Sequence, residues 1–356
     1  MYANQCFLQF GGDPDHVVIH GDSAGAGSVA YHLTAYGGTG RDLFVGAIVE
    51  SPFLPTHRTV ADSEFQFQKY ASDLNCSHTR EPLSCLRKLD SATLQSADVL
   101  STYPNAPADF LPQWSWLPVV DGHLSPDLLY NLLERGEFKK VPVMVGDSTD
   151  EGTSFVSPKV NSSATFAQYL KANYPGLTSA DISMILQAYP SPGKQFLSQN
   201  AWFGPAEAAY GEATMICPGI QISTSFAKYF SSARSWNYRY NVKDGTSAYA
   251  GVYHVAEKPA IFGTGYVEGG GGPDNSYNTY NANIVPVVMH YWISFILSLN
   301  PNTHRHPTAP IWRPWGPGQN GERLRFETNA TQMENVPSDQ SVRCAMWRLL
   351  ANSTKQ

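Results

Sequence analysis

Charged side chains are scarce in this chain. Asp, Glu, Lys and Arg make up 15% of its 356 residues, against about a quarter in an average soluble protein. No block of like charges marks an acidic or basic tail. With a net charge of -6, the sequence lacks the basic footprint of a nucleic-acid partner. Metal-ligand spacing of the C-x-x-C type is missing, so no structural metal site is expected. The Gly269–Gly272 run lacks the Lys-Ser/Thr ending and the preceding strand of a phosphate loop. No cofactor is expected. No apolar run is long enough for a comfortable membrane span: Ile284–Leu299 is too short and contains His290, and reads as a buried helix with a core histidine. There are no internal repeats. Met1–Phe10 has neither the basic flank nor the cleavage site of a signal peptide and reads as the end of a helix.

What is present is a loop-rich, aromatic composition, with 29 Gly, 25 Pro, 19 Tyr, 17 Phe and 8 Trp, and 42% hydrophobic residues to build a core. Four N-x-[ST] sequons stand at Asn75, Asn161, Asn329 and Asn352. Five cysteines occupy positions 6, 76, 85, 217 and 344, and the short polar segment from Cys76 to Cys85 invites a local disulfide. Sequons and paired cysteines together favour an oxidising, extracellular compartment. A chain of this length exceeds the usual single core, yet α/β enzymes with insertions often remain one domain. We expect one domain over residues 1–356, with a helical cap at about 160–230.

Short β-branched runs alternate with helical and loop-rich stretches. Val17–His20, Phe44–Val49, Pro142–Val145 and Trp236–Val242 read as buried parallel strands, giving a mostly parallel sheet covered by helices. Glu268–Asn283, rich in Gly, Asn and Tyr, reads as a flexible surface loop.

The sharpest chemical signal is Gly21-Asp22-Ser23-Ala24-Gly25. It fits G-x-S-x-G, between an apolar strand and a small-residue helix start. In that setting a serine sits on a strained turn with its Oγ above the sheet. A serine hydroxyl needs a histidine base, and the histidine needs a carboxylate to orient it. In chain order the acid and then the histidine follow the serine. His254 lies after the last expected strand, where that order puts the base. His16 and His20 flank the nucleophile strand and are badly placed. The strand at Val141–Gly146 ends in Asp147, Asp150 and Glu151, at the edge where open α/β sheets build their sites. Spacing alone does not choose among these three carboxylates.

At these blocks the sequence resembles the type-B carboxylesterase/lipase family, which includes cholinesterase-like proteins. Phe10–Ser28 is similar to its nucleophile block, and Val119–Gly122 with Lys140–Thr153 to its acid block. Gly251–Glu257 with Ile261–Gly263 is similar to its histidine block, and Tyr291–Phe295, Asn300–Asn302 and Arg343–Trp347 to its C-terminal region. Asp22 departs from the Glu often found there.

The resemblance implies an α/β-hydrolase: a mostly parallel sheet with helices on both faces and helical cap insertions. It implies Ser23 as nucleophile, Glu151 as acid, His254 as base and the Ala24 N–H as an oxyanion donor. The substrate would be a small-molecule or lipid ester, with no nucleic acid and no membrane span involved. It also implies the pairs Cys76–Cys85 and Cys217–Cys344, worth roughly 2.7 and roughly 4.9 kcal/mol on chain-entropy grounds, with Cys6 left over. The family's HGGG-type loop and upstream strands do not precede Gly11, so the chain reads as N-terminally truncated, and its activity as truncated is in question. The alternatives are an inactive fragment and a non-catalytic cholinesterase-like adhesion module. For the acyl pocket the candidates are Trp114, Trp116, Phe155 and Phe262.

Overall fold

In the computed structural model, residues 6, 8–245, 247–267, 274–316 and 321–356 are described. The strands are Val18–Asp22 (β1), Gly46–Glu50 (β2), Arg58–Thr59 (β3), Val119–Val120 (β4), Val143–Ser148 (β5), Ser235–Tyr240 (β6), Glu322–Phe326 (β7) and Gln332–Asn335 (β8). Among the described residues, six of them form one sheet in the order β1-β2-β5-β6-β7-β8, while β3 and β4 make a separate small pair. All neighbours in the large sheet run parallel except β7 and β8.

The apolar runs of β2 and β5 reflect burial on both faces. Successive side chains point to opposite sides of a strand, so each strand feeds two cores. Ala47, Val49, Val143 and Val145 pack against helices Ala24–Thr34 (α1), Leu129–Arg135 (α2) and Cys217–Phe226. Ile48, Met144, Trp236 and Tyr238 pack on the other face, against Ile284–Ser298. Helices therefore cover both faces of the sheet, the expected α/β-hydrolase arrangement. Open α/β sheets build sites at the carboxyl ends of their strands, and the candidate residues lie beyond the ends of β1, β5 and β6.

A third core joins Ser163–Asn173 (α3), Ser179–Ala188 (α4) and Phe203–Gly211 (α5) to Trp347 near the C-terminus. The helix Cys217–Phe226 (α6) packs on β5 and β6 rather than standing above the sheet. Its first residue, Cys217, is bonded to Cys344 with Cα atoms 5.0 Å apart, which ties the sheet layer to this third core. Cys76 and Cys85 form the second disulfide, and Cys6 is a free thiol.

Three sequence expectations change. The β7–β8 hairpin was not expected: its short strands set single apolar residues, Leu324, Phe326 and Met333, among charged and polar ones, with Arg323 and Arg325 opposite Glu334 and Gln332. His290 is exposed rather than a core histidine. It lies on the outer side of Ile284–Ser298 (α7), hydrogen-bonded to the His304 carbonyl and packed edge-on against His306. Part of the expected surface loop at 268–283 is buried: Tyr277 donates to the Ala256 carbonyl and accepts from Tyr240. The Gly269–Gly272 run and most of Met1–Phe10 lie outside the described residues. Among the described residues no helix is long and apolar enough to cross a membrane.

Candidate active site

Ser23 sits between the end of β1 and the start of α1, with φ 55° and ψ -123°. A non-glycine residue in that region is strained, as a strand-to-helix elbow requires. Gly21 makes the turn possible, because a Cβ there would collide with the Gly25 backbone. Gly27 lets α1 lie against the Phe53 carbonyl. Ala24, the first residue of α1, presents a backbone N–H beside Ser23 that has no partner within its own helix.

Glu151 opens the turn after β5, and His254 lies in the loop after β6. These strands are neighbours, so residues 103 positions apart meet. His254 Nδ1 is 2.5 Å from Glu151 Oε2, and His254 Nε2 is 2.7 Å from Ser23 Oγ. The other carboxylate oxygen, Glu151 Oε1, accepts from Ser51 Oγ and from the Ser148 backbone N–H, each at 2.6 Å. Glu151 is fully buried, and three hydrogen bonds offset the cost of burying its charge. Ser51 adopts φ 51° just after β2. The sequence gives one signal for it, its place at the carboxyl end of a buried parallel strand.

The other two carboxylates that spacing left open point elsewhere. Asp150 accepts from the Val252 N–H at 2.9 Å and pairs with Lys194. Asp147 lies beneath the sheet end, 3.9 Å from Arg323 Nη1, and burial pushes its pKa up to about 8.

A second buried acid, Glu257, went unnoticed in the sequence. It accepts from Tyr238 at 2.9 Å and from Ser148 Oγ at 3.2 Å. Burial, then the charges of Glu50 and Glu151, push its pKa up to about 8. Glu257 therefore holds its proton at neutral pH, leaving Glu151 without a second full charge beside it. A folded-state pKa raised above the unfolded value means the native state binds the extra proton, so stability falls as pH rises from the unfolded carboxyl range to about 8. Glu257→Gln imitates the protonated acid. Its melting temperature should gain on wild type as pH rises from 5 to 8. Parallel melting curves across that range would show that Glu257 is not the titrating group.

His20 accompanies this cluster. Its Nε2 lies 2.7 Å from Glu50 Oε1, which also accepts from Trp292. Burial alone would lower its pKa, but the hydrogen bond and charge of Glu50 outweigh that and raise it.

A cavity of about 200 Å³ opens beside Ser23, lined by Ala24, Phe53, Trp114, Trp116 and Leu117 among others. Phe155 packs edge-on against the His254 ring, 5.0 Å between centroids, and against Trp114. Phe262 lies elsewhere: the short helix Lys258–Phe262 carries it to the opposite side of the elbow, where it stacks on His20 and lines a separate cavity of about 860 Å³. The four sequon asparagines, Asn75, Asn161, Asn329 and Asn352, are exposed.

The family described as the carboxylesterase family matches residues 4–347. The crystal structure of EstA from Aspergillus niger superposes on the whole chain with a TM-score of 0.94 at 50% identity, and the chain covers 68% of it. Secreted lipase 4 of Gibberella zeae is 26% identical over 95% of the chain and 60% of its own length. Lipase 1 of Geotrichum candidum is 36% identical over 53% of the chain and 36% of its own length. The chain thus spans less than two thirds of these two relatives.

Proposed function

The chain belongs to the carboxylesterase family, and from that premise we propose that it hydrolyses carboxylic esters through an acyl-enzyme, with Ser23 as nucleophile, His254 as base and Glu151 as the orienting acid. The observation that carries this reading is the unbroken contact from Ser23 Oγ to His254 to Glu151 at 2.7 and 2.5 Å.

Ser23 Oγ attacks the ester carbonyl carbon while His254 Nε2 takes the hydroxyl proton. Glu151 Oε2 accepts from Nδ1–H, which fixes the tautomer and stabilises the imidazolium. Ser51 and the Ser148 N–H hold Glu151 from its far side. The carbonyl oxygen becomes an oxyanion facing the Ala24 N–H. Collapse expels the alcohol, which takes the proton from Nε2. Water, deprotonated by the same nitrogen, then attacks the acyl-Ser23 ester, and as the acid leaves, Nε2 returns the proton to Ser23 Oγ. One lost oxyanion donor typically costs about a hundred- to a thousandfold in rate.

We read residues 1–356 as one domain in which α3, α4 and α5, the first part of the expected 160–230 cap, form the cap, with α5 packed against the acid loop and α6 on the sheet instead. An extracellular location with glycans on the exposed sequons accords with secreted relatives and with the two disulfides.

The acyl group is assigned to the cavity at Trp114 and Trp116. In a p-nitrophenyl ester series, Trp114→Ala should raise the octanoate-to-butyrate ratio of kcat/KM by about tenfold, since each methylene in an apolar pocket is worth about that much. Phe262→Ala should leave the ratio as it is. An unchanged profile in Trp114→Ala, or a shift in Phe262→Ala, would put the acyl chain in the other cavity. Detectable hydrolysis of these esters by the wild-type protein is itself the first test of the proposed function.

A further inference from the structure

Beside the candidate triad, Asp150 is bonded in more directions than a loop carboxylate needs. Its backbone N–H donates to the Val252 carbonyl at 2.9 Å, and the Val252 N–H donates to its Oδ2 at 2.9 Å. The Asp150–Tyr253 segment pairs as an isolated parallel bridge. Val252 lies two residues before His254, and Asp150 one residue before Glu151. Gly251 lets the two backbones close: it has φ 64°, and a Cβ there would collide with the Asp150 carboxylate. The remaining oxygen, Oδ1, pairs with Lys194, from the segment before α5. Three residues on, the Leu197 N–H donates to the Ala248 carbonyl at 3.0 Å, so this segment lies along the entry to the His254 loop. The acid loop is gripped on its other side by Glu207, which accepts from the Gly152 N–H at 3.2 Å. Burial, then the charge of Asp150, raise the pKa of Glu207.

We propose that Asp150 is a positioning residue, a clamp that holds the His254 loop against the Glu151 turn, and that Lys194 ties this clamp to the helical insertion. This rests on the proposed triad. The clamp sets the distance between His254 and Glu151 through the Val252 backbone and touches no reacting atom. Its loss loosens the relay while leaving the acyl cavity, which it does not line, intact.

The test compares wild type, Asp150→Ala and Lys194→Met by steady-state kinetics on p-nitrophenyl butyrate and by amide hydrogen exchange at Val252–His254. In Asp150→Ala, kcat should fall by about a hundredfold, the cost of a misplacement near 1 Å, with KM within about twofold. Exchange at Val252 should accelerate by about tenfold or more as its hydrogen bond to Oδ2 is lost. Lys194→Met cuts one exposed tie and guards against a folding failure of the first variant: its kcat should fall by about threefold, with the same direction in exchange. Unchanged exchange at Val252, or a loss carried by KM, would overturn the clamp. If wild type hydrolyses no ester, the proposed function fails, and the exchange data still decide the clamp.

Discussion

Ser23→Ala should remove ester hydrolysis down to the uncatalysed background, a loss of up to about a million-fold in an efficient serine hydrolase. The size follows from the elbow. Ser23 is the residue of the turn held at φ 55° with its Oγ 2.7 Å from His254 Nε2. No other hydroxyl is placed on that nitrogen among the described residues. The substitution deletes one oxygen and needs no backbone change, so the protein should melt within a degree or two of wild type. His254→Ala should cost about as much, and the double variant no more than either alone, because nucleophile and base act as one unit. Residual turnover above about a hundredth of wild type in Ser23→Ala would mean that another group attacks the ester.

Glu151→Gln should lower kcat by about ten-thousandfold. Gln can still accept from Ser51 and the Ser148 N–H, so the packing around this buried position stays intact. Its amide N–H₂ then faces His254 Nδ1, and the ring turns its other tautomer toward Ser23. Nε2 carries the proton and cannot take one from the serine. The gap between this loss and the roughly hundredfold loss in Asp150→Ala separates an acid from the residue that positions its loop. Equal losses in the two variants would assign the acid role to the wrong carboxylate.

The sequence made Ser23 visible because the elbow is local: a β-branched strand, Gly21 and a small-residue helix start occupy adjacent positions. His254 followed from chain order alone. Glu151 did not follow from spacing. Asp147, Asp150 and Glu151 share one loop, and they part only in three dimensions, where β5 buries Asp147 and the His254 loop captures Asp150. Phe53 was silent because it reaches the site from a distant stretch of chain, Ser51 offered only its place at the end of β2, and Glu257, close to His254 in sequence, gave no sign of its burial against Tyr238 and Ser148. Phe262, expected beside Trp114, lines a separate cavity instead, because nearness to His254 in sequence says nothing about the short helix that carries it to His20. The strands of the sheet centre were legible as apolar runs. The β7–β8 hairpin was not, since its few apolar residues, Leu324, Phe326 and Met333, stand singly among charged and polar ones.

The account turns on Ser23 being the group that becomes acylated. The direct measurement is covalent labelling with an alkyl fluorophosphonate, followed by peptide mapping by mass spectrometry. One phosphonyl group per chain should appear on Ser23, in the peptide containing Gly21-Asp22-Ser23-Ala24-Gly25. Labelling should vanish in Ser23→Ala and slow sharply in His254→Ala and Glu151→Gln. A label on any other residue, or one that persists in Ser23→Ala, would contradict the assignment of Ser23.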